Sequence, residues 1–209
     1  MPVTVVDIYN DALANLGTRS TVATVGEGTA EEVELSRIYT RVRDDVLKAF
    51  DWQFARRTVA LVAQEVAVAP QTWAYVYARP ADCLRALYMV VAGAPPNRYD
   101  GMPEIQFETS GDYTGLGANV DVIYTDQKPA FLRYTARRTD PDEWPSEFQT
   151  CLGWALAAAA ALNLTASAST AQTCARTYLS MFATATQANA REGTTRASEQ
   201  TAPWDKARG

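Results

Sequence analysis

Histidine is absent from this chain of 209 residues. Its absence removes every Ser-His and Cys-His nucleophile pair and every imidazole metal ligand. Cysteine is scarce. Cys83, Cys151 and Cys174 are scattered, odd in number and form no Cys-x-x-Cys pair, which excludes structural zinc of that kind and thioredoxin-like chemistry. Cys151 and Cys174 fall on apolar helical stripes, where a free thiol packs as a small hydrophobe. Long apolar runs are missing too. The longest, residues 151–164, is short and alanine-rich for a bilayer span. No basic segment leads into an apolar run at the start. A soluble protein made in the cytosol, with no membrane partner, is the expectation. Positive charge is in deficit, with 19 Lys and Arg against 24 Asp and Glu. Tight nucleic-acid binding through a basic surface is therefore not expected. An acidic protein still suits the border of a DNA path, because like charge prevents sticking.

What is present is enough apolar residue, 47% of the chain, to build a real core in one compact domain or two small ones. Residues 4–16 read as a helix, with Val5, Ile8, Tyr9, Ala12, Leu13 and Leu16 at helical spacing. Thr4 with Asp7 suits its N-terminus, and Gly17 its stop. A second helix opens with a capping box at Thr29-Ala30-Glu31-Glu32. It carries the stripe Leu35, Ile38, Tyr39, Val42, Val46, Phe50 and ends near Asp51-Trp52.

The period then becomes alternating. Residues 57–63, 73–77, 83–91, 103–108, 120–125 and 130–136 read as strands. The breakers include Pro70, Pro80, Pro95-Pro96, Gly111, Gly115, Gly117 and Pro129. Several of these loops are long for a compact sheet, a hint that they serve contacts. Helical spacing returns after Pro141, with Phe148, Cys151, Leu152, Ala155, Leu156 and Ala159. A polar loop at 167–169 then leads to Ala171, Cys174, Ala175, Tyr178, Phe182 and Ala185, and Gly193 ends the last helix. Residues 194–209 have little apolar content beyond Pro203-Trp204 and cannot fold alone; extended, they reach on the order of 50 Å. The expected fold is α+β. N- and C-terminal helix pairs (1–54 and 144–192) form one four-helix bundle, an antiparallel β domain (55–143) is inserted between them, and a flexible tail (193–209) follows.

Several residues have two readings. Trp52, Phe54, Trp73, Tyr75 and Tyr77 form a ligand cage or interface anchor, or else a core in which the last three share one strand face. The basic pairs Arg56-Arg57 and Arg137-Arg138 touch DNA phosphates or acids on a neighbouring subunit, or are solvated strand ends. Glu104, Glu108, Asp112, Asp121 and Asp126 are the only candidates for a Mg²⁺-dependent nuclease, yet no spacing holds them together. They suit channel-facing loops or plain surface better. Gly115-Leu116-Gly117 is a turn, not a dinucleotide loop. No residue calls for a cofactor.

The order of several segments resembles the tail tubular protein A family, the portal adaptors or head-to-tail connectors of short-tailed bacteriophages. The segments are Asp11-Ala12-Leu13-Ala14-Asn15-Leu16-Gly17, the helix over 39–50 running into Asp51-Trp52-Gln53-Phe54-Ala55, Trp73-Ala74-Tyr75-Val76-Tyr77, Pro80-Ala81-Asp82-Cys83-Leu84-Arg85, and Trp144-Pro145-Ser146-Glu147-Phe148 before an alanine-rich helix. The likeness spans about residues 5–190. It departs most over 93–117 and in the tail. It implies a non-enzymatic virion protein, made in the bacterial host cytoplasm. It implies a twelve-subunit ring beneath the portal protein that continues the DNA channel, with the tail nozzle, tail tubular protein B, as the other partner. In that setting the tail, with Thr194, Arg196, Pro203, Trp204, Lys206 and Arg208, docks on the portal, since an aromatic near a chain end suits folding on a partner. Arg56, Arg57, Arg137 and Arg138 become possible subunit-interface residues. The rival expectations are a head-completion protein of a long-tailed phage or gene transfer agent, and a metal-dependent DNA-processing enzyme.

Overall fold

The computed structural model describes residues 2–63, 73–90, 105–113 and 120–192. The chain is mixed α+β, with four α-helices and two three-stranded antiparallel sheets. α1 (Val5–Asn15) starts where the sequence places it. Thr4 and Asp7 close a reciprocal capping box, and Gly17 follows the helix at φ +74°, a left-handed conformation that favours glycine. α2 (Ala30–Ala49) is capped by the Thr29 side chain, which accepts the Glu32 N–H. The second half of the expected box is remade. Glu32 turns to the Gly28 N–H and the Ser36 hydroxyl.

α3 (Ser146–Thr165) lies against α1, α2 and α4 (Ala168–Glu192), and buried residues of all four helices share one hydrophobic cluster. Its central position explains its sequence. A helix surrounded on several sides has no polar face to keep. Gly153, Ala157 and Ala160 are buried as well as the expected stripe, while Ala159 is exposed instead. α3 is also long and apolar enough to cross a membrane by length and composition, contrary to the expectation from the sequence, with half of that stretch buried within the protein. At Gly153 the helices come close: a Cβ there would lie 3.5 Å from Asn15 and from Asp11 on α1.

An aromatic knot joins three parts of this cluster. Phe148 of α3 stacks edge-on with Trp52, Phe54 and Trp144, at centroid distances of 5.1, 4.9 and 5.3 Å, and Trp52 reaches Phe182 of α4 at 5.9 Å. Each such pair contributes about 0.5–1.5 kcal/mol beyond area burial. The Trp52 indole N–H is satisfied by the Val46 carbonyl at 2.9 Å. The expected polar loop at 167–169 shrinks to Ala166 and Ser167. Ala166 sits at φ 50°, and Ser167 takes the Thr170 N–H as α4 begins.

The six strands form two sheets, with orders β1-β6-β3 and β2-β5-β4. They are β1 (Arg56–Ala60), β2 (Tyr75–Ala78), β3 (Cys83–Val90), β4 (Phe107–Tyr113), β5 (Val120–Thr125) and β6 (Phe131–Ala136). Tyr77 and Ile123 from one sheet share a buried cluster with Met89, Leu132 and Tyr134 from the other. The expected strand over 57–63 stops at Ala60; Ala63 then bridges to Tyr77 in the second sheet. The expected strand over 103–108 is shifted towards the C-terminus. Gly111, read as a breaker, lies inside β4 where the register shifts between Ser110 and Tyr113, and a bulge tolerates a glycine. The tail and the glycine loop at 115–117 fall outside the described residues.

Candidate interaction surface

The four arginines singled out from the sequence all find carboxylates within the chain. Arg56 Nε donates to Asp51 at 2.7 Å. Arg57 binds Asp82 at 2.7 Å, and the Tyr134 hydroxyl donates to the other Asp82 oxygen at 2.8 Å. Burial works against the Asp82 charge, but Tyr134 and Arg57 outweigh it and hold the carboxyl below its usual range. Burial and the Asp82 charge push the Tyr134 hydroxyl up to about 12. Arg138 meets Glu143 at 3.5 Å, the loosest of the four contacts.

Arg137 is bound differently. Its Nε donates to Asp44 at 2.9 Å, and the other Asp44 oxygen takes two N–H groups of Arg43 at 2.7 and 3.0 Å. Arg43 and Asp44 are buried on α2, and the Arg43 guanidinium lies over the Tyr39 ring. The Arg137 side chain keeps 45% of its exposure. It therefore links the helical core to a surface groove.

That groove, about 500 Å³ in volume, lies where the end of α2 meets the β2–β3 turn and the residues after β6. Lys48, Arg79, Cys83, Asp121 and Arg137 line it. Arg79 bonds to the carbonyls of Cys83 and Leu84 at 2.9 and 3.2 Å and to Asp121 at 3.3 Å. Beside it, Arg85 donates to the Lys48 carbonyl at 3.0 Å, a cation on the negative end of α2. Burial raises the Cys83 thiol, with Arg79 partly opposing.

Of the sequence candidates, only Arg137 and Asp121 come to this groove. Lys48 and Arg79 carried no motif, and Arg85 stood only as the end of the Pro80–Arg85 segment behind the family resemblance. Lys48 had one signal, its place in the last turn of α2, and the convergence of the three depends on the tertiary fold. The aromatic group divides. Trp52 and Phe54 enter the helical core, while Tyr75 and Tyr77 face the cluster between the sheets. Trp73 precedes β2 and packs with Val76, Val122 and Tyr124 on the opposite face of its sheet, so the expected shared strand face is corrected. Three of the five candidate acids are spoken for locally. Glu108 accepts the Trp73 indole N–H at 3.0 Å, Asp126 accepts the Ala74 N–H at 2.8 Å, and Asp121 pairs with Arg79. Among the described residues no three His, Cys, Asp or Glu side chains are grouped to hold a metal ion. Glu104 and the tail residues Thr194, Arg196, Pro203, Trp204, Lys206 and Arg208 lie outside the described residues.

No protein-family model matches the chain, and no curated protein matches it.

Proposed function

We propose that this chain is a structural subunit of a ring, the head-to-tail adaptor of a short-tailed bacteriophage, and that it works by assembly and not by catalysis. In this reading the two helix pairs form one discontinuous bundle, a rigid wedge. Wedges set side by side by heterologous contacts close into a ring when the rotation closes. The ring, of twelve copies as the family resemblance implies, sits in the neck of the virion beneath the portal protein. It continues the DNA channel and offers the nozzle a platform.

The observation that carries this reading is the shared helical cluster. Ile8 and Leu35 from the first pair and Phe148 and Cys174 from the second lie in one core. Three residues behind the family resemblance, Trp52, Phe54 and Phe148, stack on one another in and against it. A body so braced keeps its shape while its β segment and tail meet partners. The net charge of −5 suits a lumen through which DNA slides without binding.

The test is co-sedimentation with portal rings from the same genome. The full chain should pellet with the portal. A chain truncated after Glu192 should keep its fold and bind more weakly, because the tail carries the portal contact. A full chain that stays in the supernatant would count against the adaptor reading. Equal binding by the truncated chain would count against the role of the tail alone.

A further inference from the structure

The chain carries more acidic than basic residues, so identical copies repel unless the contact between them reverses that balance locally. The groove at the end of α2 does so. Lys48, Arg79 and Arg137 line it against one carboxylate, Asp121, among the described residues, and Arg85 adjoins it through the Lys48 carbonyl. These cations come from separate stretches of chain and meet only through the fold. Asp44 offsets Arg137 and Asp121 offsets Arg79. Lys48 and Arg85 have no ion-pair partner among the described residues.

We propose that this groove is a socket for carboxylates presented by a neighbouring copy of this chain. The inference rests on the ring reading and gives it a contact. Charge complementarity selects the occupant. Every other copy carries a net charge of −5, and the groove is where its carboxylates are attracted. The contact is heterologous, groove against a different patch, which is the kind that propagates around a ring. Arg79 is fixed by two carbonyls and Arg137 by Asp44, so two of the cations are held in place before a partner arrives. Lys48 and Arg85 supply charge that no carboxylate pairs with among the described residues, although Arg85 also rests on the Lys48 carbonyl.

Sedimentation velocity of the full-length chain, at low and high salt, tests this with Lys48→Glu, Lys48→Gln and Lys48→Arg. Lys48 is exposed, so all three should match the native circular dichroism and melting temperature; Lys48→Gln serves if Lys48→Glu does not fold. The native chain and Lys48→Arg should assemble, and less so as salt rises. Lys48→Glu should need a concentration higher on the order of tenfold, with a flatter salt dependence. A folded Lys48→Glu chain that assembles like the native one overturns the socket and leaves the ring standing. A native chain that stays monomeric at every concentration and salt, and does not assemble when portal rings are added as a template, overturns both. Hexaglutamate peptide bound by a monomeric native chain, and lost in Lys48→Glu, would assign the groove to a different acidic partner and overturn the second copy as occupant.

Discussion

Gln53 and Asn189, 136 residues apart in sequence, clasp each other by two hydrogen bonds. The Gln53 N–H donates to Asn189 Oδ1 at 2.9 Å, and the Gln53 side-chain amide donates to the Asn189 carbonyl at 2.7 Å. The bond pins the last turns of α4 to the point where the chain leaves the helices for β1. Asn189 is buried. Asn189→Ala would strand the Gln53 N–H, at about 1–3 kcal/mol. Urea unfolding should show a lower midpoint and an unchanged slope; a loss well under 1 kcal/mol would mean that water replaces the bond.

Asp44 is the shared acceptor of Arg43 and Arg137. Arg43 is buried, so Asp44→Ala leaves an uncompensated charge in the interior. Removing one partner of a buried pair costs about 3–5 kcal/mol. Because Arg137 is half exposed, Arg137→Ala should cost far less. Equal losses for the two variants in chemical denaturation would contradict this ordering.

Gly153 lies mid-helix with α1 close by. A methyl group there meets Asn15 and Asp11 at 3.5 Å, ordinary contact distance. Gly153→Ala should therefore be neutral or stabilise by up to about 1 kcal/mol through helix propensity. Gly153→Leu should push α1 off α3 and lose about 1–3 kcal/mol or more. Thermal melts should put Gly153→Ala at or above the native chain and Gly153→Leu below it.

The acid side of the stability profile follows from two caps. The Ser36 hydroxyl, with the Gly26 and Gly28 amides, holds Glu32 below its usual range, and the Thr4 side chain does the same for Asp7. A carboxyl with a lowered folded pKa stabilises fully above its unfolded value and loses that contribution as pH falls through the folded one. Stability should thus decline below about pH 4.5 and keep falling as the pH drops through the lowered folded values. Asp11, raised by burial and by the charge of Asp7, works the other way and softens the fall. Melting temperatures across this range should drop less in Glu32→Gln than in the native chain; parallel profiles would exclude Glu32 as a source.

Much of the helical half was legible in the sequence because capping residues and apolar spacing are local signals. Thr4, Gly17 and Thr29 each did what their positions announce. The strands were harder. Gly111 reads as a breaker, yet a bulge absorbs it inside β4. Trp73 alternates with Tyr75 and Tyr77, yet a bend at Ala74, held by Asp126, places it on the other face. The groove was nearly invisible. Arg137 stood out only as half of a basic pair, and nothing in one dimension connects it to Lys48, Arg79 or Arg85. Charges that converge through tertiary packing leave no periodic trace.

Ring closure is the claim on which the rest depends, and native mass spectrometry of the assembled full-length chain measures it directly. The account predicts a single closed species of twelve copies of the 22.8 kDa chain, appearing without a ladder of intermediates. A twofold dimer that saturates at two copies would mean an isologous contact, and the adaptor account would fail.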